Sequence, residues 1–292
     1  MLTNVLNLPQ PFVDAATSNY RPKDKRYSVT KVIGGTCEAI LNKRHYDEID
    51  GDVATQVWAI FGSAVHKILE QSKETDSQLK ENWVSAEVGN GYTISGIFDL
   101  YDDDTKTVTD YKTCVSWKII HGEFDDWRKQ TLAYCWILRQ MGFDACHGEI
   151  VALIKDHSQK KAKFEPDYPK FPVYKIGWDF TEEDFEKIEA EIKDWFEMVE
   201  REEKKPDDEL LPCTPEQRWH KDDKWAVMKK GAKKALKLWD NPDGAWEMAA
   251  QKNKTAKGVP YYVEFRVGED SKCEGYCSVA QFCPYYKATH EC

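Results

Sequence analysis

The chain has 292 residues, 41% of them apolar and 13% aromatic, enough to bury a substantial core in one large domain or in a core carrying a smaller appendage. A formal net charge of -10 argues against a protein that coats duplex DNA nonspecifically, while leaving room for an acidic enzyme with a locally basic cleft. No run approaches the ~18 consecutive apolar residues of a membrane span. The segment through Val29 also lacks the basic-then-apolar order of a signal peptide. A cytoplasmic location is expected, in which the nine cysteines stay reduced rather than forming a disulfide framework.

Residues 1–27, rich in Pro, Asn and charge, read as an N-terminal arm. From Val53 to about Ser72 the apolar positions Val57, Trp58, Phe61, Val65, Ile68 and Leu69 recur at helical spacing. Trp83 to Val88, Tyr92 to Leu100 and Thr107 to Lys112 read as strands of an antiparallel meander. Helical period returns from Asp125 to Met141, with Gly142 suited to its end. Glu149 to Lys155 and Pro172 to Trp178 read as strands. Thr181, followed by Glu182, Glu183 and Asp184, caps a helix running to about Glu203. Thr214, Pro215 and Gln217 form a second helix-start signature. Farther on, Lys229, Lys230, Lys233, Lys234 and Lys237 recur at three- and four-residue spacing, opposite an apolar stripe of Trp225, Met228, Ala232, Leu236 and Trp239. That is the pattern of a helix with a basic ridge. Tyr261 to Val267 is a last strand before a cysteine-rich tail.

The segment from Gly96 to Thr113 carries the most specific chemistry. Side chains alternate along a strand, so Asp99 shares a face with Ile97 and Ser95, while Asp110 and Lys112 on the partner strand project together. Two carboxylates, with the Tyr111 carbonyl between Asp110 and Lys112, make a hard-oxygen site for Mg²⁺ or Mn²⁺. Lys112 is then placed to orient or deprotonate a water, or to stabilise charge on a phosphate. A surface hairpin with ordinary charges has the same local pattern, and acid-x-Lys alone is a weak motif.

In order, Gly62-Ser63-Ala64-Val65-His66, Gly96-Ile97-Phe98-Asp99, Asp110-Tyr111-Lys112 and Gln130-x-x-x-Tyr134 resemble the motifs of the PD-(D/E)XK nucleases, in particular their RecB/Cas4-like exonuclease group. The resemblance implies a restriction-endonuclease-like α/β core, a central mixed β-sheet flanked by helices. Asp99, Asp110, Lys112, Gln130 and Tyr134 are then the catalytic set, and His66, Asp99, Asp110 and Tyr111 the metal ligands. A neutral imidazole suits Mn²⁺ better than Mg²⁺. Glu70, one turn beyond His66, and Glu87, where related nucleases carry an acid, are expected in the outer shell of the site.

Cys273-x3-Cys277-x5-Cys283 and the upstream Cys37 resemble the places where iron-sulfur members of the same group hold a 4Fe–4S cluster. Two other fates stay open for these thiols. One is a structural Zn²⁺, with His290 and Cys292 able to complete a site without Cys37, and the other is reduced cysteines that bind nothing.

The expected organisation is therefore the arm, then one nuclease domain over 28–292 with a helical, basic insertion at 181–259 and a cysteine-rich segment at 260–292. The implied activity is Mg²⁺- or Mn²⁺-dependent exonucleolytic hydrolysis of DNA, on single strands or at ends, in a bacterial, phage or archaeal setting. The lysine ridge and a second basic loop at Lys155, Lys160, Lys161 and Lys163 are candidate strand contacts, although a solvated face has the same pattern. A reading of another class makes the chain a DNA-end-binding adaptor, working beside a recombinase, a helicase or CRISPR-adaptation proteins and cutting little itself.

Overall fold

A computed structural model describes residues 2–17, 21–73, 75–256 and 260–290. The chain divides into two compact units, residues 1–210 and 211–292.

The first unit is built on a six-stranded mixed sheet. Its elements are β1 (Arg26–Ser28), α1 (Thr36–Arg44), α2 (Val57–Glu70), β2 (Gln78–Gly89), β3 (Tyr92–Asp102), β4 (Thr107–Cys114), α3 (Asp125–Gln140), β5 (His147–Ile154), β6 (Val173–Asp179) and α4 (Glu182–Glu202). Asn90 and Gly91, at φ 50° and 78°, supply the two left-handed positions of a tight turn between β2 and β3. Next to that turn the ladder slips: Gly89 faces Tyr92, but Glu87 faces Thr93, which leaves Val88 as an extra residue. Beyond the bulge Asn82 pairs with Phe98 and Lys80 with Leu100, so Glu81 stands opposite Asp99.

The other edge of β3 is shared. β1 runs parallel to Thr93–Ser95, and β4 runs antiparallel to Leu100–Asp102. Between these two pairings the sheet forks, at 96–99. β4 continues into β5 as a parallel pair, and β5 into β6 as an antiparallel one. The mixed α/β architecture expected from the sequence is thus present.

Helix α3 begins with Asp125 and Asp126, which favour the positive end of its dipole, and is followed by Gly142 at φ 93°. α4 is fixed by a capping box in which Thr181 Oγ1 accepts from the Asp184 N–H at 3.3 Å and Asp184 Oδ2 accepts from the Thr181 N–H at 3.0 Å. Ile94, Phe98 and Tyr101 of β3, Ile137 and Leu138 of α3, and Ile192 and Val199 of α4 are fully buried in one core. Each such apolar side chain contributes about 1.5–3 kcal/mol by leaving water. The segment expected as an arm carries the helix Gln10–Ala16, and Leu2 and Thr3 pair with Gly51 and Asp52.

In the second unit, β7 (Lys224–Lys229), β8 (Lys237–Trp239) and β9 (Tyr261–Arg266) form an antiparallel sheet ordered β8-β7-β9, packed by α5 (Pro242–Thr255). This corrects the helical reading of the lysine ridge. Trp225 is flanked across the sheet by Trp239 and Phe265, and Val227 packs with Ala245 and Ala249 of α5. Gly231 at φ 83° turns the chain between the strands. A two-residue period was present at Trp225 and Val227 beside the helical one, and cross-strand aromatic packing decided between them. Thr214 and Gln217 do exchange their capping bonds, at 2.9 and 3.3 Å, but the chain goes on only as turns. No helix among the described residues is long and apolar enough to cross a membrane.

Candidate active site

The fork in the sheet gathers the acids. Asp99, 7% exposed, accepts from the Tyr111 N–H at 2.6 Å through Oδ2, which ties β3 to β4 where their ladder has opened. Its Oδ1 lies 3.0 Å from His66 Nδ1 on α2. The same imidazole nitrogen lies 3.6 Å from Glu81 Oε1 on β2. Ligand atoms of His66, Glu81 and Asp99 all fall within 4.8 Å of one another. An open cleft of about 420 Å³ reaches His66 and Glu81 of this trio, lined further by Gly62, Ser63, Lys67 and Glu70.

Beside this trio Asp110, 4% exposed, is held by Gln130 of α3, whose Nε2 donates to Oδ1 at 2.9 Å. The same amide accepts from Lys112 Nζ at 2.8 Å through Oε1. Gln130 therefore fixes both the acid and the lysine of Asp110-Tyr111-Lys112. Asp110 Oδ2 lies 2.7 Å from Lys112 Nζ, so the ammonium is ion-paired to this buried oxygen.

The electrostatics are those of a site short of positive charge. Burial, with the Asp99 charge adding to it against the pull of Lys112, raises the Asp110 carboxyl to about 6. Burial and then Asp99 raise Glu81. The hydrogen bond to Asp99 raises His66, against the opposing effect of burial. The donor set fits a divalent cation: hard carboxylate oxygens with one imidazole, crowded together and partly buried. His66, Glu81, Asp99 and Asp110 are the residues that would hold it.

Of the other residues nominated from sequence, Tyr111 brings its backbone to Asp99 and sets its ring edge-on to His66, 6.4 Å between centroids. Tyr134 is buried, and its hydroxyl donates to the Ile97 carbonyl at 2.9 Å, bracing the strand that carries Asp99. The Gly96 requirement follows, because a Cβ there would lie 2.6 Å from that hydroxyl. Glu70 lies at the cleft but pairs with Lys67 at 2.7 Å, so the groups facing the His66 imidazole are Asp99 and Glu81 instead. Glu87 is exposed and pairs with Thr93, well along the strand from Asp99. The acid at the site is Glu81, which the sequence reading missed. Only the bulge at Val88 puts it opposite Asp99, since unbroken pairing from the Asn90-Gly91 turn would put Asn82 there.

Cys37 is buried in α1 of the first unit. In the second unit, burial first and then the neighbouring Cys277, Asp270, Cys283 and Cys213 push the Cys273 thiol up to about 12. Asp270 is clamped by Arg218 Nε at 3.1 Å and by the Tyr285 hydroxyl at 2.7 Å, which draws the Cys273 and Cys283 segments together. His290, the alternative zinc ligand, has Nε2 2.5 Å from Glu274 Oε1, and Cys292 lies outside the described residues. Lys229, Lys230, Lys233, Lys234 and Lys237 are exposed on and between β7 and β8, with Lys237 Nζ 4.0 Å over the Trp239 ring.

No curated protein matches the chain. Among solved structures, SSO0001 is similar at 18% identity over 64% of this chain and 84% of its own, with a TM-score of 0.45. A phage-related exonuclease from Haemophilus somnus 129PT is similar at 13% identity over 57% of this chain and 82% of its own, with a TM-score of 0.33. A profile of the PD-(D/E)XK nuclease superfamily matches residues 63–284, a span that takes in every residue of the site from His66 to Gln130. The chain belongs to the PD-(D/E)XK nuclease superfamily.

Proposed function

We propose that the protein is a Mg²⁺- or Mn²⁺-dependent deoxyribonuclease of the RecB/Cas4-like group, acting as an exonuclease on single strands or DNA ends. The observation that carries this reading is the convergence of His66, Glu81 and Asp99 beside the Asp110–Lys112–Gln130 network, on three strands and two helices. Held there, a divalent cation would supply Lewis-acid activation of the phosphate and of the attacking water. Asp99 and Asp110 present their oxygens in fixed directions because the Tyr111 N–H and the Gln130 amide occupy the others. Gln130 also keeps the Lys112 ammonium at the Asp110 carboxylate, from which it neutralises charge building on the phosphate or steers the attacking water. Tyr134 positions, through the Ile97 carbonyl, the strand that bears Asp99.

The proposal keeps an iron-sulfur centre at the tail cysteines. The crowding of thiols around Cys273, which burial holds protonated in the absence of a cation, is what supports it. An anaerobic preparation then absorbs broadly near ~400 nm, whereas zinc leaves it colourless. The exposed lysines of the β7–β8 hairpin are proposed as backbone contacts for DNA.

The test is degradation of end-labelled linear single-stranded and duplex DNA, and of internally labelled circular DNA, with Mn²⁺ or Mg²⁺. Loss of label from linear single strands, none from circles, and arrest by EDTA support the reading. Binding of ends with no turnover in any metal would replace it with the adaptor function.

A further inference from the structure

Helix α2 carries His66 near its C-terminus, yet none of its residues is buried, although its N-terminal half is strongly apolar. Trp58 is 58% exposed and Phe61 41%, their rings edge to face at 6.4 Å. This apolar half lies next to the chemistry. α2 passes close to β4 at Gly62, where an added Cβ would lie 3.9 Å from Thr113 Oγ1, one residue beyond Lys112. The next residue of β4, Cys114, accepts through its carbonyl from the Lys155 N–H at 2.8 Å, and Lys155 Nζ sits 4.2 Å over the Trp58 ring. Asp156, adjacent to Lys155, binds the N–H and hydroxyl of Ser116 at 2.6 and 2.9 Å, which fixes the start of the short helix Ser116–His121. The next side chain on that helix is Trp117, 52% exposed and stacked on His121 at 4.1 Å.

We propose that Trp58 and Trp117, with Lys155 between their supporting segments, form a track that receives a single DNA strand leading away from the metal site past the C-terminal end of β4. The inference rests on the nuclease reading and names how that site takes its substrate. An indole more than half exposed offers a π-face to any base, and Lys155 offers a phosphate the cation that an acidic body otherwise withholds. The faces of paired bases are covered by their neighbours in the duplex, so stacking of this kind selects an unpaired strand. A hydrophobic protein partner would have little use for a lysine held over the indole, and charge complementarity therefore favours nucleic acid.

The experiment uses the full chain and separates the track from the chemistry. A fluorescein-labelled 20-mer, single-stranded or annealed, is titrated in EDTA, where nothing is cut, and the same oligonucleotides are digested in Mn²⁺. Trp58→Leu and Trp117→Leu each weaken single-strand binding roughly ten-fold and leave duplex binding as it was. Trp58→Phe, which keeps an aromatic face, recovers most of the loss, and so excludes a folding defect as the cause. Equal single-strand affinity in wild type and both Leu variants, or an equal loss for duplex, would overturn the track. If the wild type cuts DNA while the Leu variants bind normally, the track alone fails. If it binds single strands through the indoles but cuts nothing in any metal, the nuclease reading alone fails.

Discussion

Glu81 Oε1 and His66 Nδ1 meet at 3.6 Å, and Glu81 reaches that place from a left-handed backbone, φ 50°, inside a strand. A non-glycine residue in that region costs about 1–2 kcal/mol. The position also sets Glu81 opposite Asp99, two acids on facing strands. Strain and repulsion at a site that fits a cation are offset when the cation binds. Glu81→Gln is accordingly expected to raise the metal-free melting temperature, by about 0.5–1 kcal/mol of stability. It should also shrink the further rise on adding Mn²⁺. A lower metal-free midpoint with an unchanged Mn²⁺ shift would remove Glu81 from the ligand set.

Gln130 holds Asp110 and Lys112 with opposite ends of one amide, at 2.9 and 2.8 Å. Gln130→Leu leaves the buried Asp110 Oδ1 without its donor and is expected to cost about 1–3 kcal/mol of stability. Cleavage should fall by about 10–100-fold, as for other groups that orient metal-site residues. Gln130→Glu, which accepts from Lys112 but cannot donate to Asp110 in its charged form, should lose activity at neutral pH. Full activity in the Leu variant at a temperature where it is folded would show that the amide orients nothing.

Gly96→Ala is expected to destabilise the first unit by about 1–3 kcal/mol through overpacking. The added methyl would lie 2.6 Å from the Tyr134 hydroxyl and 2.8 Å from its ring. Tyr134 must then leave the Ile97 carbonyl, and Asp99 moves with that strand. Thermal melts check the stability, and Mn²⁺ affinity checks the displacement. A variant as stable as the wild type would mean the fork does not need this close approach.

A pH effect is expected away from the site. His45 Nε2 lies 2.5 Å from Asp207 Oδ2, and Nδ1 lies 2.8 Å from Glu48 Oε1. Burial disfavours the imidazolium, and the bonds to Asp207 and Glu48 outweigh it, so His45 titrates above its ordinary value. Burial likewise opposes ionisation of Asp207, and the bonds to His45 and Arg44 outweigh it and hold that carboxyl low. The His45 contribution is complete below its unfolded pKa, about 6.5, and is lost as pH rises through the raised folded value. The Asp207 contribution is present above about 3.9 and is lost as pH falls through the lowered value. The wild-type melting temperature should therefore drop between pH 6 and pH 9 by an amount that His45→Asn does not show. Parallel curves for the two proteins would contradict the pairing.

The strands that carry Asp99, Asp110 and Lys112 were legible because their signals are local: alternation around Asp99 and the acid-x-Lys pattern of Asp110-Tyr111-Lys112. Gln130 was legible only from the resemblance, and the structure shows it donating one hydrogen bond to Asp110 and accepting one from Lys112. Glu81 was not, because one extra residue at Val88 shifts the register and no local pattern announces it. The lysine ridge failed for a different reason. Over that stretch the helical and strand periods both fit, and Trp239 and Phe265, distant in sequence, settle the matter by packing beside Trp225.

The proposed metal-dependent hydrolysis at Asp110 and Lys112 is measured by the rate at which end-labelled linear single-stranded DNA is degraded in Mn²⁺ by wild type, Asp110→Ala and Lys112→Ala. Each protein is first shown by melting to be folded. Hydrolysis at this site requires nucleotide release by the wild type, its arrest by EDTA, and a loss of at least about a hundred-fold in either variant. Undiminished degradation by either folded variant would contradict it.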